Sequence, residues 1–251
     1  MHYLLADFEK IKKEMSNRFI FLFLDYDGTL TPIADTPQKA VIPEKTRELL
    51  KDLSTKHNCA LAIISGRPLD DIKRIVGLKG IIYVGNHGLE IQGPKIKFAA
   101  QVPLRYKSAL KLIKNDLNRK LSFIKGAFIE DKGLSLTLHY RLVDKKQIHL
   151  VKTIFHETVI LYFVRDKIRI KHGKMVLEIR PPVEWDKGKV VLWLLVRQQF
   201  AARKERVLPV YIGDDIADED AFKALKNIGL TIFVGRPKES YAGYYLKGPD
   251  E

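Results

Sequence analysis

Residues Phe21–Leu30 read FLFLDYDGTL, an apolar run that stops on Asp25, with a second carboxylate at Asp27 and a glycine after it. The unbroken apolar character of Ile20–Leu24 is that of a central strand of a parallel sheet, buried on both faces. Open α/β sheets hold their ligands at the carboxyl ends of such strands, which makes Asp25 a candidate active-site residue. Two carboxylates at i and i+2 on a dry strand end repel one another and lose hydration, so a cation has to offset them. Bound Mg²⁺ is the simplest such cation. An Asx-turn accounts for Asp27-Gly28 on its own, but not for Asp25 beside it.

A second acidic cluster lies in Val210–Phe222, VYIGDDIADEDAF. A strand over Leu208–Ile212 runs into Gly213 and Asp214-Asp215, and a helix is expected to start at Asp218. Glu219 and Asp220 read as ordinary first-turn acids that favour the helix dipole. Asp214 and Asp215 precede the helix, where the dipole explains less. Together with Asp25 and Asp27 they would form an all-oxygen site without cysteine or histidine, suited to Mg²⁺ rather than Zn²⁺.

Two further strands end on turn residues. Cys59–Ile64 leads into Ser65-Gly66-Arg67-Pro68, where Pro68 suits a first helical turn and nearby backbone N–H groups could hold an anion. Taken alone, Ser65 reads as a helix cap. Ile81–Val84 leads into Gly85-Asn86-His87-Gly88, and a lone turn histidine is usually structural. Farther on, Lys187 sits in WDKGK at the start of the apolar helix Val190–Val196; a lysine there opposes the dipole, which marks it above the chain's other lysines.

DYDGTL, ISGR, the lysine of WDKGK and GDDIADEDAF, in that order, resemble the four motifs of the haloacid dehalogenase superfamily of aspartate-nucleophile phosphotransferases. GNHGLE at Gly85–Glu90, IEDKGLSLTLHYR at Ile129–Arg141 and LEIRP at Leu177–Pro181 narrow the resemblance to the trehalose-6-phosphate phosphatases, over about residues 18 to 245. Ile216 and Ala217 depart from the polar pair often found inside the last motif, and the chain stops soon after Tyr245, where relatives usually carry another helix.

The 251 residues, 46% hydrophobic, can bury a sizeable core over two domains. The single cysteine, Cys59, excludes an internal disulfide, and Phe19–Leu24 is too short to span a membrane. The N-terminus lacks signal-peptide features, so a cytoplasmic enzyme is expected. The formal charge of +14 is concentrated in residues 104–180, which hold 18 Lys and Arg against 7 Asp and Glu. That segment differs in pattern: helix 104–121 with Leu110, Ile113, Leu117 and Leu121 on one face, strand 127–130, strand 134–140, helix 145–163, then strands 168–171 and 175–179. The expected architecture is therefore α/β: a doubly wound parallel-sheet core, 1–103 and 181–251, with an inserted α+β cap, 104–180. The basic face reads as solvated surface or as a funnel for a phosphorylated dianion, and no nucleic-acid signature accompanies it.

The resemblance implies hydrolysis of trehalose 6-phosphate through an aspartyl phosphate, within trehalose biosynthesis. Asp25 would be the nucleophile and Asp27 the acid and base, with Ser65 and Lys187 on phosphoryl oxygens. Asp25, the Asp27 carbonyl and Asp214 would hold Mg²⁺, and Asp215 and Asp218 would orient Lys187 and the waters on the metal. Arg67, Asn86 and His87 from the core, with Glu130, Lys132 and Glu178 from the cap, would bind the sugar. For Glu130 and Lys132, an exposed strand-end ion pair is the plain alternative. A small-molecule sugar phosphate is the implied partner, with a trehalose-phosphate synthase as a candidate protein partner and a monomer as the expected state. Another capped sugar phosphatase, acting on sucrose 6-phosphate or a mannosyl phosphoester, shares the core motifs, and an inert binding module is a third reading.

Overall fold

The computed structural model describes residues 1–34, 36–201, 207–236 and 239–251. These divide into two compact units, one of Met1–Ala99 with Trp185–Glu251 and one of Ala100–Glu184.

In the first unit the strands are β1 (His2–Tyr3), β2 (Phe19–Asp25), β3 (Cys59–Ile64), β4 (Ile82–Gly85), β5 (Glu90–Gly93) and β6 (Ile96–Ala99). Three helices lie among them: α1 (Phe8–Met15), α2 (Glu44–Ser54) and α3 (Leu69–Val76). The second unit supplies α4 (Leu104–Leu121), β7 (Phe128–Asp131), β8 (Leu136–His139), α5 (Ile148–Val164), β9 (Arg169–Gly173) and β10 (Val176–Arg180). The chain then returns to the first unit through α6 (Lys187–Ala201), β11 (Val207–Gly213), α7 (Glu219–Leu225), β12 (Leu230–Val234) and β13 (Tyr244–Leu246).

Among the described residues the large sheet has the order β1-β13-β12-β11-β2-β3-β4-β5-β6. It is parallel from β1 to β4, and the β5–β6 hairpin closes it with antiparallel pairing. No strand was expected over 90–99. Each of these strands is only four residues long, and Lys95 and Lys97 interrupt the apolar pattern, which suits an exposed edge.

β2 lies between β11 and β3, and its residues alternate between two layers. Phe21 and Phe23 pack with Val190, Val191 and Leu194 of α6 and Phe222 of α7. Leu24 faces Leu50 of α2 and Ile72 and Val76 of α3. A strand covered by helices on both faces has no polar positions, which explains the unbroken apolar run. The strand order reverses between β2 and β11, so a crevice opens at their carboxyl ends. Asp25 ends one of them and Asp214 follows the other.

The second unit is a four-stranded antiparallel sheet, β7-β8-β10-β9, with one face against α4 and α5. The expected stripe Leu110, Ile113, Leu117 and Leu121 is buried there against Leu136, Leu138, Leu177 and Ile179. The second helix starts three residues later than expected: Lys145–Gln147 form a 3₁₀ turn, because the Asp144 carboxylate accepts the Lys146 N–H and tightens the chain there. Among the described residues, no helix is long and apolar enough to cross a membrane.

Phe21 is fully buried in the main core. Phe21→Ala should therefore lower unfolding free energy by about 3–5 kcal/mol in urea melts, whereas Leu49→Ala, exposed on α2, should stay within about 0.5 kcal/mol.

Candidate active site

The centre of the crevice is a buried lysine between two buried carboxylates. Lys187 opens α6, and its Nζ donates to Asp25 Oδ1 at 2.7 Å and to Asp218 Oδ1 at 2.6 Å. All three side chains are at least nine-tenths buried. Burial by itself would lower the lysine's pKa, but Asp218 and Asp25 outweigh it and hold the ammonium well above its usual range.

The two carboxylates respond in opposite directions. Burial pushes Asp25 well above the usual carboxylate range; Lys187 pulls against this, while Asp218, Asp214 and Asp215 add to it. Asp218 is just as buried, yet it is held below its usual range. Its Oδ1 accepts from Lys187 and from the Tyr211 hydroxyl at 2.7 Å, and its Oδ2 accepts the backbone N–H groups of Asp214 and Asp215 at 2.9 and 3.0 Å. Four donors to one carboxylate favour its charged form despite burial. Asp218 therefore anchors both the lysine and the Asp214-Asp215 turn. Tyr211 was absent from the expected site. A tyrosine deep in an apolar strand needs a partner for its hydroxyl, and that was the available signal.

Asp215 was expected to orient Lys187. Its side chain accepts the N–H of Ala217 at 2.8 Å, closing the turn that Asp218 holds from the other side. Ile216, between them, is 71% exposed, and nothing in the structure explains the apolar choice there.

Gly28 brings the first motif against the last. Its φ is +100°, and a Cβ there would lie 2.2 Å from Asp214 Oδ2, so only glycine lets the loop after β2 approach so closely. Asp25, Asp214 and Asp218 each offer a carboxylate oxygen, and these lie within 4.8 Å of one another. That donor set fits a hard divalent cation. The donors already on Asp218 leave Asp25 and Asp214 as the pair better disposed to bind it.

Asp27 meets Arg67. The guanidinium donates from Nε to Oδ2 at 2.9 Å and from Nη2 to Oδ1 at 2.6 Å, a two-pronged grip on the carboxylate. Arg67 is itself buried, reaches Asp71 at 3.4 Å and stands over the Tyr26 ring, 5.3 Å from its centroid. Burial alone would lower the arginine's pKa, but Asp27 and Asp71 raise it overall. The residue expected to face sugar is thus engaged with the expected acid.

Ser65 Oγ accepts the Arg67 N–H at 3.1 Å, a tight serine turn ahead of the helix and not the helix cap expected, since the cap position of α3 is Pro68 and carries no side-chain cap bond. The loops after β3 and β4 are tied together: Asn86 N–H donates to the Arg67 carbonyl and His87 N–H to that of Ser65. Asn86 and His87 both adopt left-handed φ, 48° and 55°, a strained pair of the kind concentrated at functional loops. Asn86 Nδ2 donates to Glu90 at 2.6 Å.

The second unit collects the other expected residues on one sheet face. Lys132 Nζ lies 3.7 Å from Glu178 and 3.9 Å from Glu130. Glu130 also meets His139 Nε2 at 2.7 Å, and Glu178 receives Arg180 at 2.5 Å and the Ser135 hydroxyl at 3.2 Å. Side-chain exposure of 10% for Lys132 and 7% for Glu178 removes this group from the exposed ion-pair class. Ser135, His139 and Arg180 were missed, because the pairing of strands β7, β8 and β10 is what brings them in.

Residues 23–250 match the family described as trehalose-phosphatase. An Arabidopsis thaliana protein named probable trehalose-phosphate phosphatase D is 39% identical over 98% of this chain and 69% of its own length. The Zea mays trehalose 6-phosphate phosphatase RA3 is 36% identical over 98% of this chain and 71% of its own. Among solved structures, the C-terminal domain of a Candida albicans trehalose-6-phosphate phosphatase superposes with a TM-score of 0.83 at 23% identity, covering 99% of this chain and 94% of that one, a likeness of fold. An Aspergillus fumigatus trehalose-6-phosphate phosphatase gives 0.61 at 27% identity, covering 96% and 93%. With buried carboxylates gathered at the switch point of an α/β sheet and a sequence match along nearly its whole length, the chain belongs to the trehalose-phosphatase family.

Proposed function

We propose that this chain is a Mg²⁺-dependent phosphoric monoester hydrolase that converts trehalose 6-phosphate to trehalose and phosphate, with Asp25 as nucleophile. The observation that carries the reading is the Lys187 bridge between Asp25 and Asp218, in a chain of this family. Lys187 fixes one carboxylate oxygen of Asp25, so the other is oriented for attack before substrate arrives.

A phosphate ester repels an anionic nucleophile, so positive charge must be in place first. Lys187 is one source, and Mg²⁺ held by Asp25, the Asp27 carbonyl and Asp214 would be the other, acting as a Lewis acid on the phosphoryl oxygens. Ser65 and backbone N–H groups near it take further phosphoryl oxygens. In the first step an Asp25 oxygen bonds to phosphorus as the bond to the sugar oxygen breaks, and Asp27 gives that oxygen its proton. In the second step water attacks the aspartyl phosphate, Asp27 takes the water's proton, and phosphate leaves as Asp25 is restored. Arg67 grips both oxygens of Asp27, an arrangement that favours the ionised carboxylate the second step needs as its base. For the first step one of these two bonds has to release so that Asp27 can carry the proton it gives.

Asn86 and His87 support sugar binding from the core loops. In the second unit, Glu130, Lys132 and Glu178 supply acceptors and a donor for ring hydroxyls. The preference for trehalose 6-phosphate over sucrose 6-phosphate or a mannosyl phosphoester rests on this set and on the named relatives.

The direct test is phosphate release from a panel of sugar phosphates. Trehalose 6-phosphate should be the best substrate, chelation should abolish turnover and Mg²⁺ should restore it; full activity after exhaustive chelation would remove the metal from the reading.

Asp25→Asn should reduce turnover on the order of 10³-fold or more, because an amide cannot attack phosphorus. It also has a stability signature. Asp25 binds its proton more tightly folded than unfolded, so its contribution to stability is present in full below the ordinary carboxylate range and lost as pH rises through its raised folded pKa. In chelator near neutral pH the Asn variant should melt higher than wild type, with the gap closing on acidification. An unchanged Tm difference across pH would show that Lys187 compensates the charge fully.

Glu178→Ala should depress kcat/KM for trehalose 6-phosphate much more than for 4-nitrophenyl phosphate, whose hydrolysis needs no sugar contacts. Equal losses on the two esters would assign Glu178 a purely structural role.

A further inference from the structure

One buried hydroxyl on the polar sheet face is not accounted for. Glu130 on β7 stands directly opposite Thr137 on β8, and Thr137 directly opposite Glu178 on β10. Directly opposed residues project from the same face. The alternate positions Leu136, Leu138, Leu177 and Ile179 are buried against α4 and α5, so this row lies on the sheet's other face. It reads carboxylate, hydroxyl, carboxylate.

Both carboxylates have cationic neighbours, whereas Thr137 is 3% exposed and its Oγ1 has no hydrogen-bond partner. A buried hydroxyl without a partner destabilises the fold, and valine, of the same shape and equally suited to a strand, would fill the position without that loss. Something other than folding therefore accounts for the hydroxyl. A carboxylate can only accept, so a ring hydroxyl that donates to Glu130 or Glu178 still has an oxygen seeking a donor. The Thr137 O–H, one strand away from either, supplies it.

We infer that Thr137 is a specificity-determining residue whose hydroxyl donates to a ring hydroxyl of the sugar, between the two carboxylates that accept from neighbouring hydroxyls. This rests on the reading of that face as the sugar-recognising surface. A polyhydroxylated neutral ring, with vicinal hydroxyls to share among three groups, is the ligand chemistry it fits.

The test compares wild type, Thr137→Val and Thr137→Ser with Mg²⁺ on trehalose 6-phosphate and on 4-nitrophenyl phosphate, with the Tm of each free protein. Valine should raise KM for trehalose 6-phosphate about tenfold and change kcat by less than about twofold. It should spare the aryl ester and melt no lower than wild type, and serine should restore the wild-type KM. An unchanged KM in the valine variant, equal losses on both esters, or failure of serine to rescue would overturn the role of Thr137 alone. Absence of trehalose 6-phosphate turnover by wild type would overturn both this inference and the functional reading beneath it.

Discussion

A lysine ammonium with almost no access to water has to be matched by negative charge, and in this protein the match organises the crevice. Lys187 reaches Asp25 at the end of β2 and Asp218 beyond β11, so one cation joins the two strands between which the sheet order reverses. Desolvating three charges is expensive, and Coulomb attraction alone need not repay it. The hydrogen bonds to Asp218 from Tyr211 and the Asp214-Asp215 turn make the arrangement tolerable. The cost falls instead on Asp25, which burial and its acidic neighbours push toward protonation. A nucleophile poised against its own charge, beside a donor set that fits Mg²⁺, is a site whose stability and reactivity pull in opposite directions.

The rest of the catalytic unit serves that placement. Helices on both faces leave β2 no polar position before its last residue, and Gly28 lets the following loop close on Asp214. Arg67 pins Asp27 from β3's loop, and the strained Asn86-His87 turn is tied to that loop by two backbone hydrogen bonds. The second unit uses a different device. Its sheet turns one face to its helices and keeps on the other a row of charged and hydroxyl side chains that would be poor choices for stability.

Much of this was legible in the sequence because it depends on local pattern. A run such as FLFLD announces a doubly covered strand and the carboxylate at its end, and the stripe Leu110, Ile113, Leu117 and Leu121 marks the buried face of α4. What stayed hidden depends on strand pairing. Thr137 looks like any strand threonine until β7 and β10 place a glutamate on either side of it, and Tyr211 looks like core until Asp218 folds back over the strand end. The grip of Arg67 on Asp27 is likewise a contact between the loops of neighbouring strands, and the sequence alone suggested a substrate contact instead. The β5–β6 hairpin is too short and too charged to stand out by periodicity.

The central claim is that Lys187 and Asp218 act as one buried unit that holds Asp25 in place. A double-mutant cycle with Lys187→Met, Asp218→Asn and the combined variant, followed by urea unfolding of the metal-free protein, measures it directly. Removing either partner should cost about 3–5 kcal/mol because a buried charge is left uncompensated, and the double variant should lose well under the sum. Additive losses would mean that the two residues contribute independently, and would contradict the account.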